Sequence, residues 1–116
     1  MLLIHDVHKT YRQAVEPTLQ GLSLQFPRHC IAGLLGPNGA GKTTTISIIC
    51  GLVNADGGQV EVLGLDTATQ LAQIKQKIGV VPQSIALYPT LSAQENLEYI
   101  GKLYRLPNKI LREKIS

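Results

Sequence analysis

Gly36-Pro37-Asn38-Gly39-Ala40-Gly41-Lys42-Thr43 match the pattern G-x-x-x-x-G-K-[ST], the residues in this chain whose types and spacing are most specific for chemistry. The pattern answers the needs of a bound nucleoside triphosphate. Glycines lack the Cβ that would restrict the backbone, so the loop can turn successive amide hydrogens inward as a nest for phosphate oxygens. A helix opening at the end of the loop adds its first amides, which have no intrahelical carbonyl partners, at the end where its dipole favours anions. Lys42 is the cation placed to span β- and γ-phosphates, which makes it a binding and a catalytic candidate. Thr43 offers a hydroxyl to Mg2+, an ion that keeps several waters and takes the rest of its shell from phosphates and few protein atoms.

That loop needs a strand before it and a helix after it. Ile31–Leu35 (IAGLL) is apolar almost throughout, which predicts a strand of a parallel sheet, covered on both faces and running into Gly36. From Lys42 to Cys50 the threonines and isoleucines of KTTTISIIC favour a strand by propensity. The loop chemistry demands a helix there instead, and Gly51 supplies its stop after about ten residues. Leu2–Val7 and Leu22–Phe26 alternate apolar with polar residues and predict two antiparallel strands. Asn54, Asp56, Gly57 and Gly58 mark a turn, and Gln59–Leu63 alternates as a further strand. Leu71, Ile74 and Ile78 fall at helical spacing up to Gly79, after which Val80 and Val81 predict a strand ending in a loop at Pro82 and Gln83. Ser92-Ala-Gln-Glu95 is a capping box that starts a helix with Leu97, Ile100, Gly101 and Tyr104 on one face. Pro107 closes it, and Asn108–Ser116 begins another helix.

The bulk properties narrow the classes. With 116 residues, 44% hydrophobic and 16% charged, the chain has room for one ordinary globular domain or part of one. The net charge is +3, but the cations are scattered with almost no aromatics between them, so no nucleic-acid partner is indicated. His5 and Asp6 end the apolar run Met1–Ile4 before a signal-peptide core or membrane span could form, which predicts a cytosolic chain. Cys30 and Cys50 have no metal-ligand spacing and read as buried thiols. His5, His8 and His29 have no regular spacing and no carboxylate arranged around them, and no chemistry is assigned to them.

The segment GPNGAGKTT, Gly36 to Thr44, resembles the P-loop of the nucleotide-binding domain of ABC transporters, and the resemblance runs along nearly the whole chain. Lys9-Thr10-Tyr11 is similar to the segment whose aromatic residue stacks on adenine in that family, which implies Tyr11 as the base platform. Val80-Val81-Pro82-Gln83 resembles the Q-loop, whose glutamine reaches the metal and the attacking water and moves with the transmembrane partner. Gln83 is thereby implied as a catalytic and metal-binding residue beside Thr43. LYPTLSAQENL, Leu87 to Leu97, is similar to the start of the helical subdomain, most like exporters whose ATPase and membrane parts are separate chains. The sequence departs from the family at His29 and Cys30, where a glycine and often an acidic residue are usual, and at Arg12, where glycine is common.

The resemblance implies an α/β fold: a P-loop NTPase (ABC ATPase) core with an N-terminal antiparallel β-layer, truncated at the start of the helical subdomain. Residues 1–88 would form the β-layer and the core through the Q-loop, and residues 89–116 the start of the helical subdomain. It implies ATP and Mg2+ as cofactors, and a transmembrane permease subunit and a second nucleotide-binding domain as partners. The parent would be a transport-coupled ATPase, peripheral on the inner face of the cell membrane. No hydrophobic run ending in Asp-Glu occurs in the chain, and the LSGGQ signature, Walker B pair, D-loop and switch histidine are expected beyond residue 116. The 116 residues alone are therefore expected to bind Mg-ATP without turnover, and to self-associate through unpaired sheet edges. Two other readings stand beside this one. One is a soluble ABC-superfamily ATPase of DNA repair or translation; the other is a nucleotide-binding module with no turnover of its own.

Overall fold

The alternation at the N-terminus produces a strand, β1 (Leu2–Lys9), and the remaining elements follow as β2 (Leu19–Phe26), α1 (Lys42–Ile49), β3 (Gly57–Val62), β4 (Leu65–Asp66), α2 (Leu71–Lys75), α3 (Ala93–Leu103) and α4 (Asn108–Ile115). This computed structural model describes residues 1–116 and divides into two units, Met1–Gly79 and Val80–Ser116.

In the first unit the four strands form one antiparallel sheet in the order β2-β1-β3-β4. β1 is central, with Leu3 opposite Gln25 on one side and Glu61 on the other. Its register shifts after Ile4 against β2 and after His5 against β3, around Asp6 at φ 48°. Gly58, at φ 85°, lies against this bulge, where an added Cβ would collide with the Asp6 backbone. The bulge has a consequence for packing. In a regular strand, residues three apart face opposite sides, yet Ile4 and Val7 are 2% and 1% exposed and belong to the same core. They meet Leu19, Ile48 and Val60 there, with Leu2, Leu22, Leu24, Ile49, Val53 and Ala55 around the edge. Each fully buried aliphatic side chain contributes about 1.5–3 kcal/mol relative to an exposed one.

β2 begins at Leu19, before the expected Leu22, because Gly21 at φ 73° sits inside the strand as an irregularity of the pairing and does not end a turn. The strand expected to run to Leu63 stops at Val62. Leu63 and Gly64, at φ 55° and 80°, form a two-residue turn with both central residues left-handed, and it leads into the short β4.

Helix α1 forms as the loop chemistry required, against the propensity of its threonines. Thr44, Thr45 and Ile48 turn inward, and Ile48 joins the core, so tertiary burial outweighs the local preference. Gly51 at φ 68° ends the helix. Its amide donates to the Ile48 carbonyl at 3.0 Å and the Leu52 amide donates to the Ser47 carbonyl at 2.8 Å, the paired bonds of a Schellman motif. α2 is shorter than the spacing Leu71–Ile78 suggests, and its Ile74 is fully buried.

Two expected strands do not form. Ile31–Leu35 and Val80–Val81 lie outside regular structure, and Ile31, Leu35 and Val81 are exposed. A strand of this apolar kind needs hydrogen-bonded neighbours at both edges and cover on both faces. No segment of the 116 residues pairs with either stretch, and every pairing in the sheet is antiparallel.

In the second unit, α3 starts with the expected capping box. The Ser92 amide donates to Glu95 Oε2 at 2.7 Å and the Glu95 amide donates to Ser92 Oγ at 3.3 Å. α3 ends with Arg105 at φ 56°, where the Leu106 amide donates to the Gly101 carbonyl and the Arg105 amide to that of Lys102. Pro107 is the N-cap of α4 and not the last residue of α3. Of the expected apolar face, Gly101 is buried, while Leu97, Ile100 and Tyr104 are exposed. The reason is local: α4 meets α3 at Gly101, where an added Cβ would strike Leu111. The other buried residue of α3 is polar, Asn96. No helix is long and apolar enough to cross a membrane.

Candidate functional site: a phosphate loop

The glycine-rich loop and the start of α1 lie in the first unit, and their backbone carries the features that phosphate binding needs. Gly39 and Gly41 take φ 85° and 89°, in the left-handed region that side-chain-bearing residues rarely enter. A Cβ on Gly41 would come within 2.6 Å of Leu19 Cδ2 and 3.1 Å of the Thr18 carbonyl, so glycine also lets the loop lie against the start of β2. The Lys42 ammonium is held inside the loop, donating to the carbonyls of Gly36 and Pro37 at 2.5 and 2.6 Å. An ammonium has three donors, so one is left for an anion seated on the loop. The Ala40 amide donates to the Pro37 carbonyl at 3.2 Å and closes the turn through Asn38 and Gly39.

Helix α1 opens with no side-chain cap at Gly41 and no acidic residue in its first turn. Its first amides therefore keep their positive end without an internal carboxylate. Thr43 stands exposed in that turn. Thr44 and Thr45 are buried; the Thr45 hydroxyl donates back to the Gly41 carbonyl at 2.8 Å and fixes the loop to the helix. Thr44 Oγ1 meets the Tyr11 hydroxyl at 3.2 Å.

The structure thus brings Tyr11 beside the loop. Tyr11 is 40% exposed, and Lys9 Nζ lies 5.5 Å from its ring centroid. Lys9 is held in turn by Asp56, whose Oδ1 accepts from the ammonium at 3.0 Å and whose Oδ2 accepts from the Thr10 amide at 2.7 Å. The Thr10 amide, and then Lys9, holds the Asp56 carboxyl below its usual range. Asp56 read in the sequence as a turn residue. Nothing in its spacing marked a contact to Lys9 and Thr10 across the sheet.

Gln83 belongs to the second unit, in the irregular exposed stretch that follows Val81. No group of three or more His, Cys, Asp or Glu side chains is placed to hold a metal. Thr43 and Gln83 each carry an oxygen of a kind that magnesium accepts, a hydroxyl and an amide carbonyl, and they belong to different units. Two minor readings are corrected. Cys50 is buried, with its thiol pushed up by burial, but Cys30 is exposed, and its thiol donates to the Pro27 carbonyl. His8 does have a carboxylate beside it: Nε2 lies 3.0 Å from Asp6 Oδ1.

In the second unit the residue that sequence reasoning missed is Asn96. Its Oδ1 accepts from the Tyr88 amide at 2.8 Å, and its Nδ2 donates to the carbonyls of Tyr88, Leu91 and Ser92 at 3.0–3.2 Å. One buried amide fixes the turn before α3. The rings of Tyr88 and Tyr99 pack edge to face at 5.1 Å beside it.

Comparison with known proteins agrees with this geometry. The model of the family described as ABC transporter matches residues 19–115. The linearmycin resistance ATP-binding protein LnrL of Bacillus subtilis is 49% identical over 91% of this chain, and the daunorubicin resistance ATP-binding protein DrrA2 of Streptomyces coeruleorubidus is 40% identical over 87%. The aligned region is 33% of the former and 31% of the latter, so the chain spans about a third of these relatives. Among solved structures, the ATP-binding cassette MJ0796, a dimer in a post-hydrolysis state bound to ADP and Pi, superposes with a TM-score of 0.83 at 28% identity, covering 99% of this chain and 54% of that one. An ATP-binding subunit of an ABC transporter gives 0.82 at 27% identity, covering 94% and 45%. The loop geometry, the family match and the superposition agree, and this chain belongs to the ATP-binding cassette family of ABC transporters, with the antiparallel β-layer and P-loop helix of an ABC ATPase.

Proposed function

We propose that this chain is the Mg-ATP-binding part of a transport ATPase, and that Gly36–Thr44 hold the triphosphate. The observation that carries the reading is the Lys42 ammonium, fixed inside a loop whose Gly39 and Gly41 are left-handed, at the uncapped start of α1. In this reading the N–H groups of Gly36, Asn38, Gly39 and Gly41 and of the first helical turn donate to phosphate oxygens, while Ala40, whose amide closes the turn onto Pro37, completes the loop. Pro37 has no N–H and contributes its carbonyl to Lys42. Thr43 would supply a hydroxyl oxygen to Mg2+, Thr44 borders the phosphates, Tyr11 carries the adenine, and the likeness of Val80–Gln83 to the Q-loop is what suggests Gln83 as a metal-binding and catalytic residue. The ion, when bound, neutralises charge on the phosphates.

The division at residues 88 and 89, between the core through the Q-loop and the start of a helical subdomain, belongs to the same reading. So does the whole protein's role: ATP binding and hydrolysis coupled to export, with a membrane permease subunit, a second cassette, and a place on the inner face of the membrane. Support comes from relatives whose names describe drug-resistance ATP-binding proteins and from a neighbour solved as a dimer. The 116 residues contain the phosphate loop but no apolar run ending in a carboxylate pair, so they bind Mg-ATP and do not turn it over. Equilibrium titration with Mg-ATP and a phosphate-release assay on the same sample test both parts. Saturable, Mg-dependent binding with no release above background is expected. Absent binding would overturn the first part, and turnover abolished by Gln83→Ala would overturn the second.

A further inference from the structure

We propose that Asp56 is a positioning residue for Tyr11: by holding both Lys9 and Thr10 it sets the ring of Tyr11 beside the phosphate loop and so contributes to recognition of the nucleotide base. The inference rests on the reading of Tyr11 as base platform and goes beyond it, because Asp56 lies in the turn before β3 and its carboxylate bonds Lys9 and Thr10, the two residues before Tyr11.

β1 ends at Lys9, and regular structure resumes only at Leu19. Tyr11 therefore stands just outside the sheet, where the ladder no longer fixes the backbone. Three sets of contacts hold the exit. The Thr18 amide donates to the Lys9 carbonyl at 2.8 Å, the Ala14 amide donates to the Tyr11 carbonyl at 2.9 Å, and Asp56 holds the remaining groups. Asp56 is itself anchored, since its amide donates to the His8 carbonyl at 2.9 Å. One carboxylate oxygen takes the Lys9 ammonium and the other the Thr10 amide, so the two residues before Tyr11 are fixed by one side chain. Lys9 Nζ, so held, lies 5.5 Å from the centroid of the Tyr11 ring, and Tyr11 reaches Thr44 with its hydroxyl at the far end. The ring is thus located from both ends: by Asp56 through Lys9 and Thr10, and by Thr44 on α1. A flat ring contributes to base binding only if its face is already oriented, because ordering it on binding costs part of the stacking energy.

The test compares affinity for Mg-ATP with affinity for Mg-tripolyphosphate, which has the charge of the phosphates and no base. Both are measured by displacement of a ribose-labelled fluorescent ATP analogue from the full chain. Tyr11→Ala should lower the preference for ATP over tripolyphosphate by about fivefold or more. Asp56→Asn should lower it by at least about twofold with tripolyphosphate affinity unchanged, and the double variant should match Tyr11→Ala alone. If Asp56→Asn fails to fold by circular dichroism, Lys9→Met breaks the same grip from the other side and should give the same loss. An unchanged preference in these variants beside a reduced one in Tyr11→Ala would overturn the positioning role and leave Tyr11 in place. Equal loss for ATP and tripolyphosphate would overturn it as a general structural effect. A wild-type chain with no preference, or Tyr11→Ala with an unaltered one, would overturn the base platform and the proposal together.

Discussion

The hydroxyl of Tyr11 and Oγ1 of Thr44 stand 3.2 Å apart, joining the exit of the first strand to the first turn of the helix that follows the phosphate loop. The contact links residues 33 positions apart and ties the two parts of the proposed nucleotide site to each other. Tyr11→Phe keeps the ring and removes this bond, so it should lower stability by about 0.5–1.5 kcal/mol. In a double-mutant cycle with Thr44→Val, measured by urea unfolding, the two losses should be less than additive. Strict additivity would mean that the hydroxyls do not meet in solution.

His29 and Arg105 each adopt a left-handed backbone, with φ 57° and 56°, where a side chain is sterically costly. His29→Gly and Arg105→Gly should each stabilise the chain, by up to about 1 kcal/mol once the greater freedom of glycine in the unfolded state is counted. Thermal unfolding checks this. A destabilised His29→Gly would show that the imidazole makes a compensating contact.

Acid should loosen two points of the fold. Asp56 and Glu95 have carboxyls held below their ordinary values of 3.8 and 4.5, the first by the Thr10 amide and Lys9, the second by the Ser92 hydroxyl and amide. A carboxyl lowered in the folded state stabilises fully above its unfolded value, and the contribution disappears as pH falls through the folded value. The contribution of these two carboxyls should therefore be constant from neutral pH to about 5 and decline below about 4. Asp56→Asn should be less stable at neutral pH and lose less on acidification than the wild type. Parallel curves for the two proteins, from unfolding at pH 7, 5 and 3.5, would contradict the assignment.

Asn96 makes four hydrogen bonds that a shorter side chain cannot. Asn96→Ala should cost about 1–3 kcal/mol locally, because it strips partners from the Tyr88 amide and the nearby carbonyls. Hydrogen exchange at the Tyr88 amide should accelerate about tenfold or more. Unchanged exchange there would mean that the turn is held by other contacts.

The sequence made the phosphate loop, the helix behind it and the capping box of α3 legible, because each rests on residue identities at fixed local spacing. Ser92 and Glu95 had only to find each other within one turn, and Gly51 only to end a helix. What stayed hidden was non-local. The bulge that puts Ile4 and Val7 on one core depends on how Asp6 meets Gly58 of another strand. The grip of Asp56 on Lys9 and Thr10 spans 46 or more positions. Ile31–Leu35 failed as a strand for the same reason, since an apolar run specifies burial but not the neighbour that must pair with it. Asn96 was hidden by its helix, where an amide in the first turn reads as a solvated residue until the preceding turn folds onto it.

The most direct measurement is the affinity of the wild-type chain and of Lys42→Ala for Mg-ATP, followed with a fluorescent ATP analogue under identical magnesium and salt. Lys42 is the only side chain whose cation sits inside the loop between the Gly36 and Pro37 carbonyls, so its removal takes away a charge-assisted contact to phosphate. The account predicts saturable binding by the wild type and a loss of about 1.5–3 kcal/mol in the variant, tenfold or more in Kd. Equal affinity in the two proteins would contradict the assignment of this loop as the nucleotide site.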